Sequence, residues 1–257
     1  MNEWQLWLSA LAVLVAMATL TWLVSLPLRN VSIVDGVWSL LLLAAGIVYF
    51  RALPAAGTRA RIVMGLLLAW ALRLALHITL RNRGHGEDRR YQQIRARNQP
   101  GFEFKSLYLV FGLQAVLAAV ISLPLLAALR GNAAWAGLDA VGTLLCLFGL
   151  VWESVGDWQL SRFRAQGGNA SAVMNRGLWR YSRHPNYFGE CCVWWGFYLL
   201  ALSAGGWWSV IGPALMTVLL LKVSGVGLLE KDIGERRPAY RDYVRSTNAL
   251  LPGRPRQ

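Results

Sequence analysis

AWAGLDAVGTLLCLFGLVWESVGDWQLSRFR, residues 134–164, decides how the chain must be read. Its first part, 134–155, is an apolar run. A bilayer needs about 20 apolar residues from one helix. The run then turns polar without a break. Asp157, Ser161 and Arg164 fall at i, i+4 and i+7, which is one face of a helix. The stretch therefore reads as a membrane helix that continues into water. A Gly167–Gly168 pair then stands as a breaker.

Outward from this stretch the same pattern recurs. Apolar runs occupy 4–26, 33–50, 62–80, 107–129, 134–155, 187–204 and 207–229. A spanning chain without barrel patterning must be helical, because hydrocarbon offers its backbone no partners. The expected fold is thus all-α, a polytopic integral membrane protein with seven transmembrane helices. It forms one membrane domain over 1–257, with no soluble domain left after the spans are subtracted. The first run lacks a basic n-region and a small-residue cleavage site, so it reads as a span and not as a removed leader.

Composition agrees. The chain has 257 residues, 56% hydrophobic and 15% charged. A soluble domain carries about 25% charged residues. The formal net charge of +13 would suggest nucleic acid in a soluble protein, but its distribution points elsewhere. With seven spans, one side collects Arg29, seven basic residues in 81–106, five in 156–186 and seven in the tail. That is 20 of the 26; the other side has four, Arg51, Arg59, Arg61 and Arg130. By the positive-inside rule the N-terminus is expected outside and the C-terminus in the cytoplasm, with a bacterial inner membrane as the location. Membrane lipids are expected neighbours, nucleic acid is not, and nothing marks an obligate protein partner.

Ionisable residues inside apolar runs are costly and mark function. Asp35 opens the second run. Arg73 sits mid-way along the third, with His77 one turn on. Glu153 and Asp157 close the fifth, Glu190 lies in the sixth, and Glu230 follows the seventh. Structural alternatives stand beside each. Asp35 can cap a helix, Arg73 can pair with an acid between helices, His77 can pack, and Glu230 can snorkel. Three histidines at 77, 85 and 184 lack ligand spacing, and Cys146, Cys191 and Cys192 form no zinc pattern, so no metal site is expected. Walker A, GxGxxG and GxSxG runs are absent.

Between the fifth and sixth runs, Arg180, Tyr181, Arg183, His184 and Asn186 crowd into seven residues around Pro185. Guanidiniums grip phosphate and stack on rings, so this cluster suits a phosphorylated aromatic ligand. Lipid headgroups are the plainer alternative.

The segment 153–190 resembles the C-terminal domain of the steroid 5-alpha-reductase family. The resemblance rests on Asp157, Arg164, Gly177-Leu178, Tyr181, Asn186 and Gly189-Glu190, with Glu153 where the family carries Asn. Tyr240 and Tyr243 in the tail are similar to its closing cofactor helix. The resemblance implies an NADPH-dependent reduction of a C=C bond conjugated to a ketone in a lipid, such as a Δ4-3-ketosteroid. It implies that residues 1–130 serve the substrate and 131–257 the cofactor. Cofactor contacts then fall on Glu153, Asp157, Arg164, Arg180, Tyr181, Arg183, His184, Asn186, Glu190, Glu230, Tyr240 and Tyr243. Asp35, Trp70 and Arg73 occupy the catalytic positions, with Asp35 as the carbonyl-side acid that donates to the ketone oxygen. Trp38 and Gln114 join Trp70 on the substrate side. The basic run 81–91 is left between a cofactor cap and a surface anchor. The RHPNY form (183–187) also looks like that of membrane methyltransferases of the isoprenylcysteine or phospholipid type, which use S-adenosylmethionine. Those place paired acids on the last helix, where this chain has Glu230-Lys231.

Overall fold

The computed structural model describes residues 1–131, 133–166, 172–223, 225–230 and 238–256. The Gly167–Gly168 breaker and the basic residues Lys231, Arg236 and Arg237 lie outside the described residues. Among the described residues the regular structure is entirely helical. Five helices are long and apolar enough to cross a membrane: α1 (Glu3–Leu28), α2 (Ile33–Arg51), α3 (Thr58–Asn82), α5 (Phe102–Arg130) and α6 (Gly137–Ala165). A short polar helix, α4 (Arg89–Arg97), precedes α5. This is an integral membrane protein by the length and composition of its helices.

The last two expected spans take a different form. α7 (Pro185–Ser203) is a helix of 19 residues, with Asn186 and Glu190 in its first turns. α8 (Trp207–Val223) is a shorter apolar helix that widens into a π-turn at Leu219–Val223. The apolar run 207–229 does not form one continuous helix. At Gly225 a Cβ would lie 1.8 Å from the Leu220 carbonyl oxygen, a crowding only glycine escapes. The chain resumes in α9 (Val226–Glu230) and α10 (Ala239–Ser246).

The chain forms two compact units. One comprises Met1–Ala136 with Leu200–Ile211, the other Gly137–Leu199 with Gly212–Gln257. In the first, α2 packs against both α1 and α3. Its core is Leu6, Leu14, Leu41, Leu42, Leu67, Trp70 and Phe111, each almost wholly enclosed. Ser122 interrupts α5, and Pro124 follows two residues later. The Ser122 hydroxyl meets Tyr49 Oη at 2.9 Å, so the break is fixed by a polar contact to α2. At the far end Arg59 is buried and donates to the carbonyls of Ala133 and Ala134, at 2.8 and 3.0 Å.

In the second unit the governing feature is a seam of glycines between α6 and α7. A Cβ at Gly196 would stand 2.5 Å from Cys146 Sγ, at Gly149 2.5 Å from the Gly189 carbonyl oxygen, and at Gly189 2.6 Å from the Glu153 amide nitrogen. Small residues at such crossings let helix backbones approach closely within a membrane. The approach places Glu153 and Asp157 of α6 beside the first turns of α7.

Candidate functional site

In the first unit the polar cluster is built on the start of α2. Asp35 uses both carboxylate oxygens. Oδ1 accepts from the Tyr91 hydroxyl at 2.5 Å, and Oδ2 from Arg90 Nη2 at 2.7 Å. Gln114 of α5 donates from Nε2 to Tyr91 Oη at 3.3 Å, and its Oε1 is buried without a partner among the described residues. The acid and the amide assigned from sequence therefore meet at a tyrosine that sequence reasoning passed over. The signal available was modest: a tyrosine within a strongly basic run, just after the Asp88-Arg89-Arg90 triplet.

The 81–106 segment is not a loose anchor. The Asp88 side chain caps α4 by accepting from the Arg90 amide at 2.9 Å. Glu87 accepts from the Val31 amide at 2.9 Å and takes two hydrogen bonds from Arg95, both 2.8 Å. The segment is thus pinned onto the α2 start, and Tyr91 is held there. Burial alone would raise the Glu87 and Asp88 carboxyls, but the hydrogen bonds from Arg95 and Arg90 outweigh it and keep both low. Burial would lower Arg90, yet Asp35 and Asp88 hold it well above its usual value. Tyr91 is pushed far up by burial and then by the Asp35 charge, so it stays a protonated phenol.

The other assigned residues of this unit lie on the same helices. Trp38 is half-buried one turn after Asp35. Trp70 on α3 is fully enclosed, and Arg73 is half-buried one turn later, as is His77. Gly36 faces Thr79 of α3, where a Cβ would stand 3.1 Å from the hydroxyl, so α2 and α3 close tightly beside Asp35.

In the second unit the basic hairpin is a knot. Glu230 takes a bidentate pair from Arg183 (Nε 2.7 Å, Nη2 2.8 Å), sits 2.9 Å from His184 Nε2 and accepts from Tyr240 Oη at 3.2 Å. Arg183 Nη1 also donates to the Val244 and Thr247 carbonyls, and its amide donates to Asn248. Tyr243 donates to the Trp179 carbonyl, and Ser182 to that of Leu250 at 2.8 Å. Burial would raise Glu230, but its His184 and Arg183 hydrogen bonds bring it down to about 2. Arg183, His184 and Tyr240 thus turn their polar groups on Glu230, while Tyr243, its ring beside that of Tyr240, turns its hydroxyl to the hairpin backbone. They dock the C-terminal tail on the RHP turn.

Gly177-Leu178-Trp179 has a local reason. Gly177 is left-handed at φ 57, and a Cβ there would stand 2.5 Å from Gln159 Nε2. Gln159 accepts from the Leu178 amide at 3.0 Å, and Trp179 Nε1 donates to the Gly156 carbonyl at 3.0 Å. The hairpin is stapled to the water-side end of α6. Asn186 Nδ2 donates to Asp157 Oδ1 at 3.2 Å, while its buried Oδ1 has no partner among the described residues. Glu153 and Glu190 are buried nearby in sequence on α6 and α7, and Arg164 and Tyr181 are exposed. Arg180 lines an open cavity of about 510 Å³ with Asn175, Asp242, Tyr243, Ser246 and Thr247.

A family model for a protein of unknown function, DUF1295, matches residues 21–247. The chain belongs to the DUF1295 family. The matched DUF1295 region begins within α1 and ends just past α10, so it contains both the Asp35–Tyr91 cluster and the Arg183–Glu230 knot. The chain is also similar to an uncharacterized protein, C594.04c, of Schizosaccharomyces pombe. They are 27% identical over 268 residues, covering 90% of this chain and 75% of the relative.

Proposed function

We propose that this protein is an NADPH-dependent membrane reductase acting on the C=C bond of an enone lipid. The reading includes seven spans, α7 and α8 counted with the five strongly apolar helices, and a cytoplasmic C-terminus. The observation that carries it is the Asp35–Tyr91 pair. Hydride addition to an enone builds negative charge on the ketone oxygen, and a positioned donor stabilises that charge. Tyr91 is a phenol kept protonated, oriented by Asp35 and flanked by the Arg90 cation. Asp35 accepts from both Tyr91 and Arg90, so its role is to orient Tyr91. Tyr91 has one hydroxyl proton. It serves the ketone by turning that proton from Asp35 to the ketone oxygen when substrate enters, with Arg90 remaining on Asp35. Trp38 supplies an apolar wall for a lipid, with the enclosed Trp70 behind in the core, and Gln114 a polar contact at the reacting end.

The residues of the second unit fit a dinucleotide phosphate. Arg180 stands open at a cavity, and Asn186 keeps a buried acceptor unused. NADPH supplies the hydride when bound. Arg180 and Arg164 bind phosphate, Asn186 with Asp157, Glu153 and Glu190 hold the polar groups of the ring end, and Tyr181 offers a stacking face. Arg183, His184, Glu230, Tyr240 and Tyr243 hold the tail that closes this region. The match of 153–190 to the steroid 5-alpha-reductase pattern supports the same assignment.

The test is purification in detergent, titration with NADPH and with S-adenosylmethionine, then turnover on Δ4-3-ketosteroids and other enones. NADPH binding with saturation of the double bond is expected. Binding of S-adenosylmethionine alone would replace this reading by methyl transfer.

A further inference from the structure

A second cavity, about 350 Å³, lies against the Val31–Glu87–Arg95 clamp. Ser25, Leu26, Arg29, Val31, Arg95, Glu103 and Ser106 line it. It sits where α1 ends and α5 begins, joined by Trp22 Nε1 donating to the Glu103 carbonyl at 2.8 Å. Two membrane-spanning helices terminate there, so the cavity lies at headgroup depth. α1 also presents Leu20, Val24 and Leu28 outward, each more than half exposed, and Phe104 and Tyr108 of α5 are exposed as well. Acyl chains have apolar surface to follow on both helices.

The polar groups of the cavity are complementary to one kind of headgroup. Arg29 has no side-chain partner among the described residues. Arg95 is committed to Glu87 and touches Glu103 through one nitrogen at 3.2 Å. Glu103 is half exposed, so carboxylate capacity remains. Ser25 donates its hydroxyl to the Trp22 carbonyl and Ser106 to the Glu103 carbonyl, both at 2.7 Å. Both serines are buried, so the half-exposed Glu103 carboxylate is the acceptor that a ligand can reach. Among the described residues the cavity therefore presents Arg29 as a cation without a side-chain partner and Glu103 as an acceptor. That set matches a ligand with an anionic phosphate and an N–H-bearing ammonium.

Arg29 supplies an independent sign. It ends α1 in the left-handed region, at φ 48 and ψ 36. Glycine fills that conformation without steric cost, whereas a residue with a Cβ is strained there. An arginine in this place is held against its backbone preference.

We infer that this cavity seats the headgroup of an ethanolamine phospholipid, with the phosphodiester on Arg29 and the ammonium on Glu103. Native mass spectrometry of the detergent-purified full chain, offered equal phosphatidylethanolamine, phosphatidylcholine and phosphatidylglycerol, tests it. The ethanolamine lipid should be retained in preference to both others. Arg29→Gly should melt higher than wild type, through relief of the strain, yet retain about fivefold less ethanolamine lipid, the worth of one interfacial arginine. Arg29→Asn, also at ease in the left-handed region, should lose the lipid likewise. Glu103→Gln should erase the discrimination between ethanolamine and choline. Arg83→Ala, exposed on the same side but outside the cavity, should change nothing. The inference is overturned if both Arg29 variants keep the lipid, if Glu103→Gln still discriminates, or if phosphatidylglycerol is held most tightly. Displacement of the lipid by soluble O-phosphoethanolamine would overturn the lipid source in favour of a soluble one.

Discussion

Asp35 and Tyr91 are 56 positions apart in the chain and 2.5 Å apart in space. An acid at the head of an apolar run is visible in sequence because its cost in a membrane demands a reason. Tyr91 is not, because one aromatic among arginines carries no signal until the fold delivers it. The same holds for Arg183 and Glu230. Each was legible as a candidate alone, but their pairing across 47 positions was not. That pairing separates the arginines by role. Arg183 is spent on the tail, whereas Arg180 faces a cavity. Arg180→Ala should weaken NADPH binding about tenfold and NADH binding far less, because a guanidinium gripping the extra phosphate is lost. Fluorescence titration of both nucleotides checks this. Equal loss for both would remove Arg180 from the phosphate site.

Among elements, the five strongly apolar spans were legible and their interruptions were not. Apolar runs fix where helices lie, but the break at Ser122 and the end of α8 before Gly225 depend on what packs against them. The α6–α7 seam belongs to the same scale. Gly189→Ala would drive a Cβ into the Glu153 backbone, where flexible side chains cannot absorb it. Overpacking of this kind costs about 1–3 kcal/mol. Gly65→Ala on α3, with nothing within 4 Å, should be neutral or stabilising by up to about 1 kcal/mol. Thermal unfolding in detergent distinguishes the pair. The tail dock makes a pH prediction. Glu230 is depressed from 4.5 to about 2, so its pairing stabilises the fold fully above pH 4.5 and loses that contribution as pH falls toward 2. Glu230→Gln should abolish this acid sensitivity. By leaving Arg183 buried without its carboxylate, it should also cost roughly 3 kcal/mol. Limited proteolysis of the C-terminal tail across pH reads both effects.

For the whole molecule, charge bias and hydropathy gave the all-helical membrane class directly. The division of labour between halves was drawn from the 153–190 resemblance. The compact units divide the chain at Ala136 and draw Leu200–Ile211 into the first, which no composition shift announces. The seven spans proposed would place the termini on opposite sides. Reporter fusions at Met1 and Gln257 should therefore report the outside and the cytoplasm respectively. Both on one side would mean that α7 or α8 does not cross.

Single-turnover reduction of an enone by NADPH, compared between wild type and Tyr91→Phe, is the most direct measurement. The account predicts that wild type converts the enone to its saturated ketone with matching loss of NADPH. Tyr91→Phe should bind NADPH with unchanged affinity but turn over about 100-fold more slowly or worse, the usual effect of removing a transition-state donor. Full turnover by Tyr91→Phe would contradict it, as would a wild-type protein that binds no NADPH.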